Sequence, residues 1–321
     1  MDICKIPCHF GLPEAEKLSE LNAGHINRTF LAVCGGKKYV LQSLNSSVFH
    51  APEVLMDNID RIEAAFAASA VTETAVPHFI AAGDKKYAAA NEKLWRMYRY
   101  IIAAAKAPAN AGAAGRLFGT FIRIMDGRTL SPTPAIEGFH DFDRYFAALA
   151  EKNGTEPSIM TKLDRLRETV DDIFTSPLKK RIIHGDAKPD NIILSDIPAI
   201  IDLDTVMYGY AAIDYGDLVR SVCRGKGADL PEIRNVTWGF AAGLDGTLGT
   251  DEVKSLYYGI LWLTGELAVR YLNDSLSEEK YFRGKSSADC RARGEELLRQ
   301  LDEFTACGDE IMDIINDAFA V

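Results

Sequence analysis

The sequence predicts an α+β fold in two lobes, a small β-rich one followed by a larger, mainly helical one, and three observations predict it. Near the N-terminus, β-branched and aromatic residues flank a Gly35-Gly36 pair, the pattern of a tight hairpin. Residues 103–115 are then rich in alanine and change the composition abruptly. Beyond them apolar residues recur at steps of three and four, interrupted by one group of short β-branched runs over residues 181–204. A chain of 321 residues can form two such lobes, at about 150 residues per domain. They are expected over residues 1–102 and 103–321.

The hairpin is expected within residues 21–41, from Thr29, Phe30, Leu31 and Val33 before the glycines and Tyr39, Val40 and Leu41 after them. Pro52 suits a first helical turn, and Leu55, Ile59, Ile62 and Phe66 follow at helical spacing. Residues 76–81 and 94–100 read as further strands of a small mixed sheet, with Trp95, Tyr98 and Tyr100 as packing aromatics. In the second lobe three helices are marked by Leu117, Phe121, Ile124 and Met125, by Phe142, Phe146 and Leu149, and by Leu163, Leu166, Val170 and Phe174. Short strands are expected at Ile182-Ile183, Ile192-Ile193-Leu194 and Ala199-Ile200-Ile201, and the loops that join them are where chemistry is expected. Helices return around residues 256–272 and 295–304.

Composition narrows the function. Hydrophobic residues make up 47% and charged residues 26%, which excludes wholesale disorder. With 46 acidic against 36 basic side chains and a formal net charge of -10, no broad phosphate-binding surface and no nucleic-acid partner is expected. The longest stretch without a charged side chain, residues 39–52, turns polar halfway and falls short of the ~20 apolar residues of a membrane span. No secretory signal is evident, so a cytoplasmic protein without membrane association or an obligate protein partner is expected. The six cysteines form no C-x-x-C pair and suit reduced thiols. Cys4, Cys8 and His9 lack a fourth ligand for a metal site.

One segment carries chemistry. His184-Gly185-Asp186-Ala187-Lys188-Pro189-Asp190-Asn191 fits H-x-D-x-x-x-x-N, and Ile201-Asp202-Leu203-Asp204 follows. In phosphoryl transfer such an Asp orients the acceptor hydroxyl and takes its proton, while the Asn and a later carboxylate ligate Mg²⁺. Taken singly, Asp186 is a loop residue capping its own backbone, Asn191 a turn residue and Asp202 a solvated strand end. The ordered set is specific. Within it His184 is expected as a buried loop support and Lys188 as a γ-phosphate contact.

This loop resembles the catalytic loop of the protein-kinase-like fold, with Gly185 where protein kinases have Arg, as in the aminoglycoside phosphotransferase branch. Further segments resemble the bacterial N-acetylhexosamine 1-kinases within that branch: residues 24–30, Tyr39-Val40-Leu41-Gln42 with Asn45 and Phe49, Trp95-Arg96-Met97-Tyr98, Phe139-His140-Asp141, residues 201–207, Asp214-Tyr215-Gly216-Asp217 with Arg220, and residues 266–272 with Asp274, Tyr281 and Phe282. The resemblance implies a bilobal fold that uses ATP and Mg²⁺, with Asp186 as catalytic base, Lys188 beside it, and Asn191 and Asp202 as metal ligands. It implies that residues 24–30, with Gly24, Asn27 and Thr29, turn over the phosphates. Gln42 stands where the family's strand lysine is usual, so phosphate neutralisation falls to Mg²⁺, Lys188 or another cation, and no strand lysine is left for Glu53 or Glu63 to pair with.

Arg270 is expected either as a sugar contact or as an i,i+4 surface partner of Glu266, and Asp204, Asp217 and Arg220 as support behind the metal. The expected reaction is phosphorylation of the C1 hydroxyl of an N-acetylhexosamine. The alternatives are an aminoglycoside, choline, homoserine or other small-molecule kinase, and a nucleotide-binding pseudokinase.

Overall fold

A computed structural model of the chain describes residues 2–21, 27–46, 48–49, 51–104, 110–175, 178–282 and 284–320. Two units pack separately: Met1–Ala107 with Leu130–Glu137 and Ile193–Asp204, and Pro108–Thr129 with Gly138–Ile192 and Thr205–Val321. The first holds a five-stranded sheet and the second most of the helices, the α+β class that the sequence predicts.

In the first unit a 3₁₀ helix (Ile3–Phe10) precedes strands β1 (Lys17–Leu21), β2 (Arg28–Cys34) and β3 (Lys37–Ser43), helix α1 (Pro52–Ala67), and strands β4 (Ala88–Ala90) and β5 (Lys93–Arg99). The strands pair antiparallel in the order β1-β2-β3-β5-β4. Cys34 faces Lys37 across the hairpin, and Gly35 and Gly36 turn the chain with φ of 56° and 72°. That left-handed pair is what a two-residue type I′ turn needs. On one face Phe30, Ala32, Tyr39, Leu41, Trp95 and Met97 pack with Ile6 and Phe10 of the 3₁₀ helix. Because strand side chains alternate, Thr29, Gln42 and Arg96 point to the other face. The register sets Gln42 opposite both Thr29 and Arg96.

Residues 76–81 form no strand. Phe79 makes a single bridge to Tyr98, Pro77 has no N–H to offer a ladder, and β4 takes the edge instead. The alanine-rich stretch is described only in part, since 105–109 lie outside the described residues; Asn110 then caps helix α2 by accepting from the Ala113 N–H.

The chain continues through α2 (Ala111–Met125), α3 (Phe142–Ala150), α4 (Pro157–Phe174), β6 (Arg181–Ile183), β7 (Ile192–Ile193), β8 (Ala199–Ile200), β9 (Met207–Gly209), α5 (Ala211–Val222), α6 (Leu230–Leu244), α7 (Thr250–Ser275), α8 (Ser287–Ala306) and α9 (Gly308–Phe319). Strands β6 and β9 pair antiparallel and frame the loop of interest in the second unit. Periodicity does not reveal α5, because it is buried on every face from Ala211 to Arg220 and has no solvent-exposed face in that span. The 26-residue α7 is the axis of this unit, packing against α3, α4, α5, α8 and α9. No described helix is long and apolar enough to cross a membrane.

Candidate active site

The loop after β6 has no ladder to satisfy its backbone, so side chains do it. The two oxygens of Asp214 on α5 accept the N–H groups of His184 (2.7 Å) and Gly185 (2.8 Å). Thr205 Oγ1 donates to the His184 carbonyl at 2.9 Å, and His140 Nε2 to the Gly185 carbonyl at 2.6 Å. Gly185 sits at φ 80°, where a Cβ would lie 2.5 Å from the Thr205 carbonyl oxygen. His184 is fully buried, with its ring edge-to-face against Phe118 and Phe121, and its Nδ1 accepts the Asp186 N–H at 3.3 Å. It is a loop support, as its sequence context suggested.

This frame presents Asp186, Lys188 and Asn191 together. The Asp186 carboxylate accepts from Lys188 Nζ at 2.5 Å and from Asn191 Nδ2 at 2.9 Å. Asn191 Nδ2 also reaches the Asp186 carbonyl at 2.8 Å, so the amide oxygen is the atom left to meet a cation. Burial raises the Asp186 pKa, but the Lys188 ammonium, His184 and the Asn191 amide outweigh it and hold the carboxyl below its ordinary value. Asp186 is therefore ionised at neutral pH and able to accept a hydroxyl proton.

A second polar group, on α7 and the turn before α3, abuts this loop. His140 Nδ1 lies 3.1 and 3.3 Å from the Glu266 carboxylate oxygens, and Glu266 also accepts from Trp262 Nε1 at 3.1 Å. Both ring nitrogens of His140 face acceptors, so both carry protons and the ring is cationic. Burial opposes that charge, but Glu266 and the Gly185 carbonyl prevail and raise its pKa. Burial likewise raises that of Glu266, yet His140 and Arg270 leave it lowered.

Arg270, 3.6 Å from Glu266, is no surface partner. Its guanidinium lies 4.8–5.6 Å from the ring centroids of Phe139, Tyr145, Tyr281 and Phe282, and the charge of Asp186 helps hold it protonated. The Phe282 N–H donates to Asp274 Oδ2 at 2.8 Å, pinning the segment that carries two of those rings.

These shifts predict a pH effect. A histidine whose folded pKa exceeds its unfolded value of about 6.5 contributes stability that is complete below that pH and lost as pH rises through the folded pKa. Thermal melts between pH 6 and pH 9 should show the wild type losing more stability with rising pH than His140→Gln. Parallel slopes would remove His140 from the charged state assigned to it. Asp214 adds the same sign at lower pH, since burial pushes it up to about 7 against the two N–H bonds that pull it down.

In the first unit, Asp202 is exposed and adopts φ 63°, a left-handed conformation uncommon for a residue with a side chain. Asp204 accepts from both terminal nitrogens of Arg96 (2.6 and 2.8 Å) and from Asn27 Nδ2 at 2.7 Å. Gln42 accepts from Arg96 Nε at 2.9 Å and donates to Thr29 Oγ1 at 3.2 Å. Gly24 lies outside the described residues. Glu63 of α1 binds Lys86 at 3.0 Å and the Phe79 N–H at 3.1 Å. Asp217 pairs with Arg220 within α5.

The sequence places Arg96, His140 and Asp214 in segments that carry the resemblance but assigns them no individual role, and it reads Glu266 only as a surface partner of Arg270. The signal for Arg96 is a charge between the apolar Trp95 and Met97 in the middle of a strand; for Asp214 and Glu266 it is a carboxylate inside a largely apolar helix.

Residues 17–248 match the phosphotransferase enzyme family. Among solved structures, a microcompartment-associated aminopropanol kinase is similar over 96% of this chain and 97% of its own at 14% identity, with a TM-score of 0.74. A choline/ethanolamine kinase family protein from Mesorhizobium loti is similar over 90% and 92% at 17% identity and a TM-score of 0.60. A spectinomycin phosphotransferase, solved with ADP and spectinomycin, is similar over 98% and 97% at 14% identity and a TM-score of 0.57. At such identities the likeness is one of fold.

Proposed function

The chain belongs to the phosphotransferase enzyme family, and from that premise we propose that it transfers the γ-phosphoryl group of ATP to a hydroxyl of a small molecule, with Asp186 as the group that orients the hydroxyl and accepts its proton. The observation that carries this reading is the Asp186 carboxylate, held between Lys188 and Asn191 on a loop whose backbone is fixed from Asp214, Thr205 and His140. A depressed pKa makes Asp186 a weak base, so its part is chiefly to aim the hydroxyl. Lys188 leaves it for the incoming phosphate as the charge on the transferred group develops.

Asn191 and Asp202 are assigned to Mg²⁺ on the resemblance, each for the donor atom it would offer. An amide oxygen and an exposed carboxylate are the few hard donors that a Mg²⁺ shared with phosphates and water needs. Among the described residues no group of three His, Cys, Asp or Glu offers a cage of its own. Bound there, the ion would supply charge neutralisation on the phosphates. Gly24, Asn27, Thr29 and Gln42 are assigned to the nucleotide side on their resemblance alone.

The comparisons support a kinase for small acceptors without selecting a sugar, and two of the three structures named above carry amino-alcohol kinases in their names. An amino alcohol is therefore one reading of the acceptor. The other is an N-acetylhexosamine phosphorylated on C1, favoured by Arg270, whose fixed positive charge within electrostatic reach of Asp186 repels an ammonium group and suits neutral hydroxyls and an amide carbonyl. ADP release over a panel of free hexosamines, their methyl glycosides, aminopropanol, ethanolamine, choline and kanamycin decides between them. The sugar reading expects turnover with N-acetylhexosamines and none once the anomeric oxygen is methylated. Preference for an amino alcohol would overturn it in favour of the first reading.

A further inference from the structure

Kinase-type sites commonly pair a lysine on the third strand with a glutamate on the neighbouring helix, and the pair must be in place for activity. The lysine half is not found here. The strand position is Gln42, and Glu63 of α1 is engaged by Lys86, His78 and the Phe79 N–H. One strand over, in register with Gln42, stands Arg96, only 1% exposed. A buried guanidinium is costly unless it is paired and bonded, and this one is: its fork meets the Asp204 carboxylate in a bidentate pair and its Nε meets the Gln42 amide oxygen.

Gln42 is the side chain that such a pair requires. It accepts from Arg96 with its oxygen and donates to Thr29 with its nitrogen, whereas a lysine there would set a second cation against the first. Asp204, with three donors on its two oxygens, is spent on this pair. Asp202, two residues earlier, is exposed and held at φ 63°, and a residue stays in so sparse a region only when its neighbours fix it.

We infer that Arg96 replaces the strand lysine as a positioning residue: its ion pair with Asp204 ties residues 202–204 to the sheet and holds Asp202 in the conformation that binds the metal–nucleotide complex. The inference rests on the kinase reading and adds to it the residue that does the lysine's work from a different strand.

The test is Mn²⁺ binding to the full chain with ADP, followed by electron paramagnetic resonance, beside thermal melts without metal. Two variants are compared: Arg96→Lys, which keeps a charge but loses the fork, and the double change Arg96→Met with Asp204→Leu, which removes both charges and so avoids an unpaired buried ion. Both are expected to bind Mn²⁺ about 10- to 100-fold more weakly, as loss of a metal ligand's supporting partner does, while the double variant melts near the wild type. Wild-type affinity in the folded double variant would show the pair to be structural only and overturn the inference. A wild-type chain that binds no Mn²⁺–ADP would overturn the kinase reading and the inference with it.

Discussion

Asp186→Asn is expected to fold, bind ADP and lose about 10²- to 10⁴-fold in kcat, the span of a removed general base. The substitution keeps shape and the two backbone bonds that fix the preceding residues, since those come from Asp214 rather than from Asp186 itself. It removes the charge that Lys188 and Asn191 now share, and an amide cannot accept the hydroxyl proton. Steady-state rates with saturating acceptor, beside a melt and an ADP titration, separate loss of chemistry from loss of structure. Near-normal turnover in a folded variant would remove Asp186 from its role. The variant's KM for ATP should change little, because Asp186 is assigned to the acceptor.

What the sequence makes legible is what lies on one stretch of chain. Asp186, Lys188 and Asn191 fall within six residues of each other, so their spacing alone brings them to one loop, and the structure joins them through hydrogen bonds. The hairpin is legible for the same reason, because Gly35-Gly36 decides the turn locally. The Arg96–Asp204 pair spans 108 positions and the His140–Glu266 pair 126, and no periodicity links residues so far apart. Register explains why Arg96 escapes notice: it becomes the neighbour of Gln42 only when β5 lies beside β3. Arg270 is the opposite case, since four-residue spacing from Glu266 leaves a surface pair open until the rings around it are seen. Helix α5, buried all round, and the proline that breaks the expected strand at residues 76–81 are cases where the environment overrides the local pattern.

The two aspartates of Ile201-Asp202-Leu203-Asp204 are expected to fail in opposite ways. Asp202→Gly removes an exposed carboxylate at φ 63°, and glycine takes that conformation without the steric cost an L-residue meets there. The folded state should therefore melt at or above the wild-type temperature, while Mg²⁺-dependent turnover falls by about 10³-fold or more, as loss of several kcal/mol of metal-ion stabilisation requires. Asp204→Ala does the reverse. It leaves the Arg96 guanidinium buried with Gln42 as its remaining hydrogen-bond partner, and breaking a buried pair from one side costs about 3–5 kcal/mol. Its melting temperature should drop sharply, and the molecules that stay folded should keep part of their turnover at a raised Mg²⁺ requirement. Paired melts and Mg²⁺ titrations of the two variants read both effects. If Asp204→Ala were the stable, inactive protein and Asp202→Gly the active one, the metal would belong to Asp204 and the two roles would have to be exchanged.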